Sequence, residues 1–121
     1  MTTQEVANRY MELEKAGNWA AIHDELYSSD VVSIEPEHAA AMGMATITTG
    51  LDGIKAKGKS FNESIEAMHG GYCSEPVVGG NFFSEAMGMD VTMKGAGRMK
   101  MDEVAVFEVK DGKVIKEQFF F

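Results

Sequence analysis

Apolar residues recur at helical spacing through the first half of the chain and at strand spacing through the second, and this change of period is the main clue to the architecture. Val6, Tyr10 and Leu13 share a helical face, with Thr2 and Glu5 at capping-box spacing before them and Gly17 after them; this predicts a helix over about residues 3–16. Asn18 can cap a second, short helix whose Trp19, Ile22 and Leu26 fall on one side and which stops before Asp30. The β-branched run Val31-Val32-Ser33-Ile34-Glu35 ends at Pro36 and reads as a strand. Residues 37–49, rich in Ala, Met and Thr, show no period. Leu51, Ile54, Phe61, Ile65 and Met68 fit the face of a third helix, weakened by Gly53 and Gly58 and closed by Gly70-Gly71. Beyond it the pattern is strand throughout, over about 72–78, 82–94, 98–109 and 113–121, with Gly79-Gly80, Gly95-Ala96-Gly97 and Asp111-Gly112 as breaks. Helices, one strand, a helix and then an antiparallel meander make the predicted class α+β, in a single domain over residues 1–121.

The last hairpin decides which acids face inward. A three-residue loop Lys110-Asp111-Gly112 is expected, pairing Val109 with Lys113, Ala105 with Glu117 and Glu103 with Phe119. Glu103, Glu117, Phe107, Phe119 and Phe121 then line the interior, and Lys116, Gln118 and Phe120 face outward. A two-residue turn at Asp111-Gly112 would instead pair Lys110 with Lys113 and turn Glu117 out. Val104, Val106, Val114 and Phe120 collect on the outer face, which predicts a homodimer.

Composition adds limits. With 45% hydrophobic and 25% charged residues in 121, the chain has the balance of one globular domain with one core. The N-terminus shows no basic-then-apolar leader and no stretch is long enough to span a membrane, so cytoplasm is the expected compartment. Cys73 is single, which removes any internal disulfide. A net charge of -8 without a basic cluster speaks against nucleic acid. His23, His38 and His69 lack metal-binding spacing, and no P-loop, G-x-S-x-G or dinucleotide fingerprint occurs, so neither metal nor cofactor is expected. Ten methionines, with Met87, Met89 and Met93 in phase with a period of two on one strand, suit either ordinary core filling or a pocket for a flexible apolar ligand.

Tyr10, Ala16-Gly17-Asn18-Trp19, Leu26-Tyr27-Ser28-Ser29-Asp30-Val31-Val32, Glu35-Pro36 and the closing Phe107-Glu108-Val109-Lys110-Asp111-Gly112-Lys113-Val114 resemble the SnoaL-like branch of the nuclear transport factor 2-like superfamily, which includes ketosteroid isomerases. The resemblance implies a cone-shaped, curved sheet, mixed or antiparallel, wrapped by three helices from the N-terminal half. It also implies an apolar pocket inside the cone and often a dimer through the sheet's outer face. It places Glu35 where those isomerases keep a general base and Tyr10 where they keep an oxyanion donor, while their second donor, a protonated Asp, aligns with Ala105. Burial in an apolar pocket raises a carboxylate toward the range useful for proton transfer, and a fixed hydroxyl stabilises the charge that develops.

Two readings follow. The preferred one is an apolar small-molecule binding protein, with Glu103, Glu117, His69, Trp19, Met101, Phe107 and Phe119 around the ligand. The alternative is an enzyme that performs proton transfer on an apolar carbonyl compound, with Glu35 as base and Tyr10 as donor. Superfamily membership alone does not choose between them.

Overall fold

A computed structural model describes residues 1–121. Helix α1 (Thr3–Lys15) starts where the pattern predicts, with Thr2 and Glu5 closing a reciprocal capping box. Helix α2 (Trp19–Leu26) is capped by the Asn18 side chain on the Ala21 amide, and the chain passes directly into strand β1 (Tyr27–Ile34), four residues earlier than the β-branched run suggests. The segment without a period holds a 3-10 helix (Glu37–Met42), ended by Gly43 at φ 79°, and a short strand β2 (Ile47–Thr49). Helix α3 spans Leu51–Ser64. Strands β3 (Ile65–Cys73), β4 (Val77–Gly79), β5 (Phe82–Met93), β6 (Gly97–Lys110) and β7 (Lys113–Phe120) complete the chain.

These strands form one seven-stranded mixed sheet in the order β2-β1-β7-β6-β5-β3, with β4 also on β5. The pairings are antiparallel except that β1 runs parallel to β7. Helix α1 packs over β4, β5 and β6, while α3 covers β1, β2 and β3. The core between them joins Val6, Tyr10, Leu13, Ile22, Leu26, Val31, Ile54, Phe83, Phe107 and Val114.

Three sequence expectations change. Helix three stops at Ser64, because Ile65 to Cys73 pair along β5, with shifts near Ile65 and Met68. Those residues satisfy a helical period as well as a strand, and the available sheet edge decides. The strand expected over 72–78 breaks in two around Pro76, which has no N–H for a ladder. The final turn is the two-residue one, pairing Lys110 with Lys113 across Asp111 (φ 52°) and Gly112 (φ 75°). Yet Glu117 still faces inward, opposite Phe107, because β7 carries a bulge at Ile115: Val114 pairs with Val109 and Lys116 with Glu108. Ala105 consequently faces Phe119, where the three-residue loop would have put Glu117, and Val114 is buried in the core where the outer face was expected.

Candidate functional site

Strand β1 presents Val31 and Ser33 on its inner face by simple alternation, Glu35 just beyond its end continues that face, and all three are buried. Ser33 is the register partner of Glu117 on β7, so the two side chains meet across the parallel pair. The Ser33 hydroxyl donates to Glu117 Oε2 at 2.7 Å, and the Tyr27 hydroxyl donates to Glu117 Oε1. From the other side comes α3. Ile54 anchors that helix in the core, and Lys57, three residues on and therefore on the same face, reaches Ser33 Oγ at 2.9 Å and Glu35 Oε1 at 3.0 Å. Its ammonium also lies 5.6 Å from the centre of the Phe119 ring. A continuous buried chain thus runs from Tyr27 through Glu117, Ser33 and Lys57 to Glu35.

Tyr10 joins this chain at its far end. Its ring packs in the core against Phe107 at 4.8 Å, Phe83 at 5.6 Å and Trp19 at 6.3 Å. Its hydroxyl neighbours that of Tyr27, whose own proton goes to Glu117. Burial, with the Glu117 charge second, pushes both phenols well above their ordinary range, keeping them protonated. Tyr27, Glu117, Ser33 and Lys57 thus stand between Tyr10 and Glu35.

Glu103 is the acid that stands apart. It lies on the inner face of β6, opposite Met87 on β5, half-buried, with no side chain donating a hydrogen bond to it. Burial first, then the charges of Glu35 and Glu117, raise it to about 7, against the opposing pull of Lys57.

The remaining expected residues are scattered. Phe107 is fully buried and stacked on Phe83, with centroids 4.6 Å apart. Phe119 is half-buried beneath Lys57, Met101 is half-buried on β6, and Trp19 is exposed beside Tyr10. Phe121 is exposed, edge-on to His38 at 5.2 Å. His69 is not at the end of a helix or at the mouth of this site. It is exposed on β3, where its Nε2 lies 2.7 Å from Thr92 Oγ1.

Two surface clefts, of about 330 and 570 Å³, lie away from the buried chain. The first is on the outer face between Tyr72, Gly88, Asp90, Lys100 and Asp102, and the second is between the N-terminus and the β6–β7 turn. Neither is lined by Tyr10, Glu35, Glu103 or Glu117. The buried chain is the better candidate site, because clustering ionisable groups in the interior is costly and such clusters mark functional sites. No group of three or more His, Cys, Asp or Glu side chains is arranged to hold a metal ion, and no helix is long and apolar enough to cross a membrane.

This geometry sits in a chain that matches the SnoaL-like domain over residues 1–121. The protein belongs to the SnoaL-like family. A solved structure from Mesorhizobium loti, provisionally described as a SnoaL-like polyketide cyclase, is 33% identical over 100% of both chains, with a TM-score of 0.91. TerC, co-crystallised with polyporic acid, is 19% identical over 98% of this chain and 90% of its own, with a TM-score of 0.76. A protein with a cystatin-like fold from Xanthomonas campestris is 17% identical over 99% and 90%, with a TM-score of 0.79. At such identities the last two show the shared fold alone. No curated protein matches the chain. Within this SnoaL-like chain, alternation along β6 was enough to turn Glu103 and Phe107 inward, whereas the inward place of Glu35 came from the family resemblance. Lys57, Tyr27 and Ser33 went unrecognised, although the spacing of Lys57 from Ile54 and of Ser33 from Glu35 carried the signal.

Proposed function

We propose that this SnoaL-like protein binds a small, mainly apolar carbonyl compound on the concave face of its sheet and moves a proton on it. Glu103 is the general base, and Lys57 is the cation facing the negative charge that develops. The observation that supports this reading is Glu103 itself: half-buried, free of hydrogen-bond donors, raised to about 7 and close enough to Lys57 to feel its charge. A base whose proton affinity lies near the working pH combines a useful ionised fraction with a useful driving force.

In the reaction, the Glu103 carboxylate takes the proton from the carbon next to the carbonyl. The C–H electrons enter the conjugated system and the carbonyl oxygen becomes negative. Ser33 and Glu35 hold Lys57 in place beforehand, so little reorganisation is needed when that charge appears. Return of the proton to another carbon completes an isomerisation. Met87, Met99 and Met101 share the inner face with Glu103 by register and supply an adaptable apolar wall.

The test is a panel of ketosteroids, quinones and polyketide-like aromatics, read by thermal shift and absorbance. Turnover whose kcat/KM rises with pH around a midpoint near 7, and which Glu103→Gln lowers by about 10²–10⁴ while ligand-induced stabilisation persists, supports the proposal. A pH profile unaffected by Glu103→Gln would sink it. The methionine wall favours a second reading, apolar binding without chemistry; stabilisation with no change in absorbance across the panel would select it.

A further inference from the structure

A second group of acids lies beneath α1, outside the Lys57 chain. Glu85 projects inward from β5 as the register partner of Ala105, and it is 1% exposed. The Glu14 carboxyl comes down from α1 to within hydrogen-bonding reach of it. Taken as carboxylates, this pair leaves Glu14 Oε1 and both Glu85 oxygens buried without a donor. Such oxygens are rare in folded proteins, and two ionised carboxyls in contact also repel. One proton relieves both problems, since a protonated carboxyl donates to its neighbouring carboxylate.

We propose that Glu14 and Glu85 form a buried acid pair that shares one proton at neutral pH and fastens α1 to β5, so that the fold itself is a proton-binding site. The surroundings leave the pair as the group that titrates there. Tyr10, on α1, is held well above its ordinary range by burial and by nearby acids. The Cys73 thiol, at the end of β3, is pushed up to about 11 by burial and by Glu14. Glu75, between β3 and β4, adds negative charge, and Lys15, next to Glu14 on α1, lies 3.8 Å from Glu75 with both side chains exposed. Burial first, then Glu14, raise Glu85 to about 9 from an ordinary 4.5.

The direction of the pH effect follows. A group raised in the folded state adds stability that is complete below its unfolded value and disappears as pH climbs through its folded value. Through this pair, folding takes up about one proton between about pH 5 and 9 and the folding constant falls up to tenfold per pH unit. Glu103 adds its own loss, which is complete above about pH 7, so the decline toward alkaline pH belongs to the pair.

Two measurements on the full chain test this. Carbon-13 NMR of labelled glutamate near pH 8, where Glu103 is mostly ionised, should show one protonated side-chain carboxyl. Glu85→Gln, an uncharged mimic of the protonated acid, should abolish that signal and flatten the decline of urea stability toward alkaline pH. A wild-type spectrum with every glutamate ionised overturns the proposal, and so does a variant whose stability keeps the wild-type pH dependence. The wild-type spectrum needs no variant, so it decides the question even if Glu85→Gln fails to fold.

Discussion

Lys57 sits between Glu35 and Ser33 with only a quarter of its side chain exposed, and without it Glu35 would be buried with no counter-charge. Lys57→Met is expected to cost about 2 kcal/mol in urea unfolding. Adding Glu35→Gln should recover much of that loss, since no buried charge then stands alone; an additive loss in the double variant would show that the ion pair is not the cause. Tyr10→Phe removes a buried hydroxyl beside Tyr27, so about 1 kcal/mol of stability at most should go. Proton transfer should stay within about tenfold of wild type in that variant, because general acid–base groups are worth far more; a drop of several hundredfold would return Tyr10 to the chemistry. The inward direction of Glu103 was readable from strand alternation, and that of Glu35 from the family resemblance. Their different fates were not: Glu35 meets an ammonium from α3, Glu103 meets only neighbouring charges, and the sequence shows two acids on strands.

At the level of elements, the β6–β7 hairpin shows how two local features combine. The tight turn at Asp111-Gly112 alone would put Glu117 on the outer face, and the bulge at Ile115 returns it to the interior. Deleting Ile115 should therefore leave Glu117 opposite Phe107, and the variant should fold with the Glu103 titration near 7 intact. A lower Glu103 titration with the fold preserved would mean that the charge of Glu117 had left the site. Gly112 carries φ 75°, and a Cβ there would lie 3.0 Å from the Met1 nitrogen. Gly112→Ala should thus cost about 1–2 kcal/mol, read by thermal unfolding. The turn residues were visible in the sequence as a glycine after an aspartate, whereas the bulge leaves no mark in composition, because Ile115 is an ordinary strand residue. The same holds at β3. Ile65 and Met68 suit either period, and only the presence of β5 alongside makes them strand.

At the scale of the whole molecule, Tyr72, Phe82, Val104 and Phe120 leave large apolar side chains half in water on the outer face, with Val104 and Phe120 directly paired. We propose that this face meets a second copy of the chain. Sedimentation at micromolar concentration should give a dimer, and Val104→Asp with Phe120→Asp should give a monomer of unchanged fold; a wild-type protein that sediments only as monomer would refute it. By itself the sequence determined the α+β class, the caps of the first two helices, the breaks between the late strands and the inward face of β6. These depend on groups within a few residues of one another. Tertiary structure alone decided the strand identity of residues 65–73, the bulge that aims Glu117, the Lys57 partnership of Glu35 and the company of Glu14 with Glu85. Apart from the bulge, each joins groups distant in the chain, as Tyr27 and Glu117 are by 90 positions, and the burial that sets their proton affinities exists only once the sheet has closed around them.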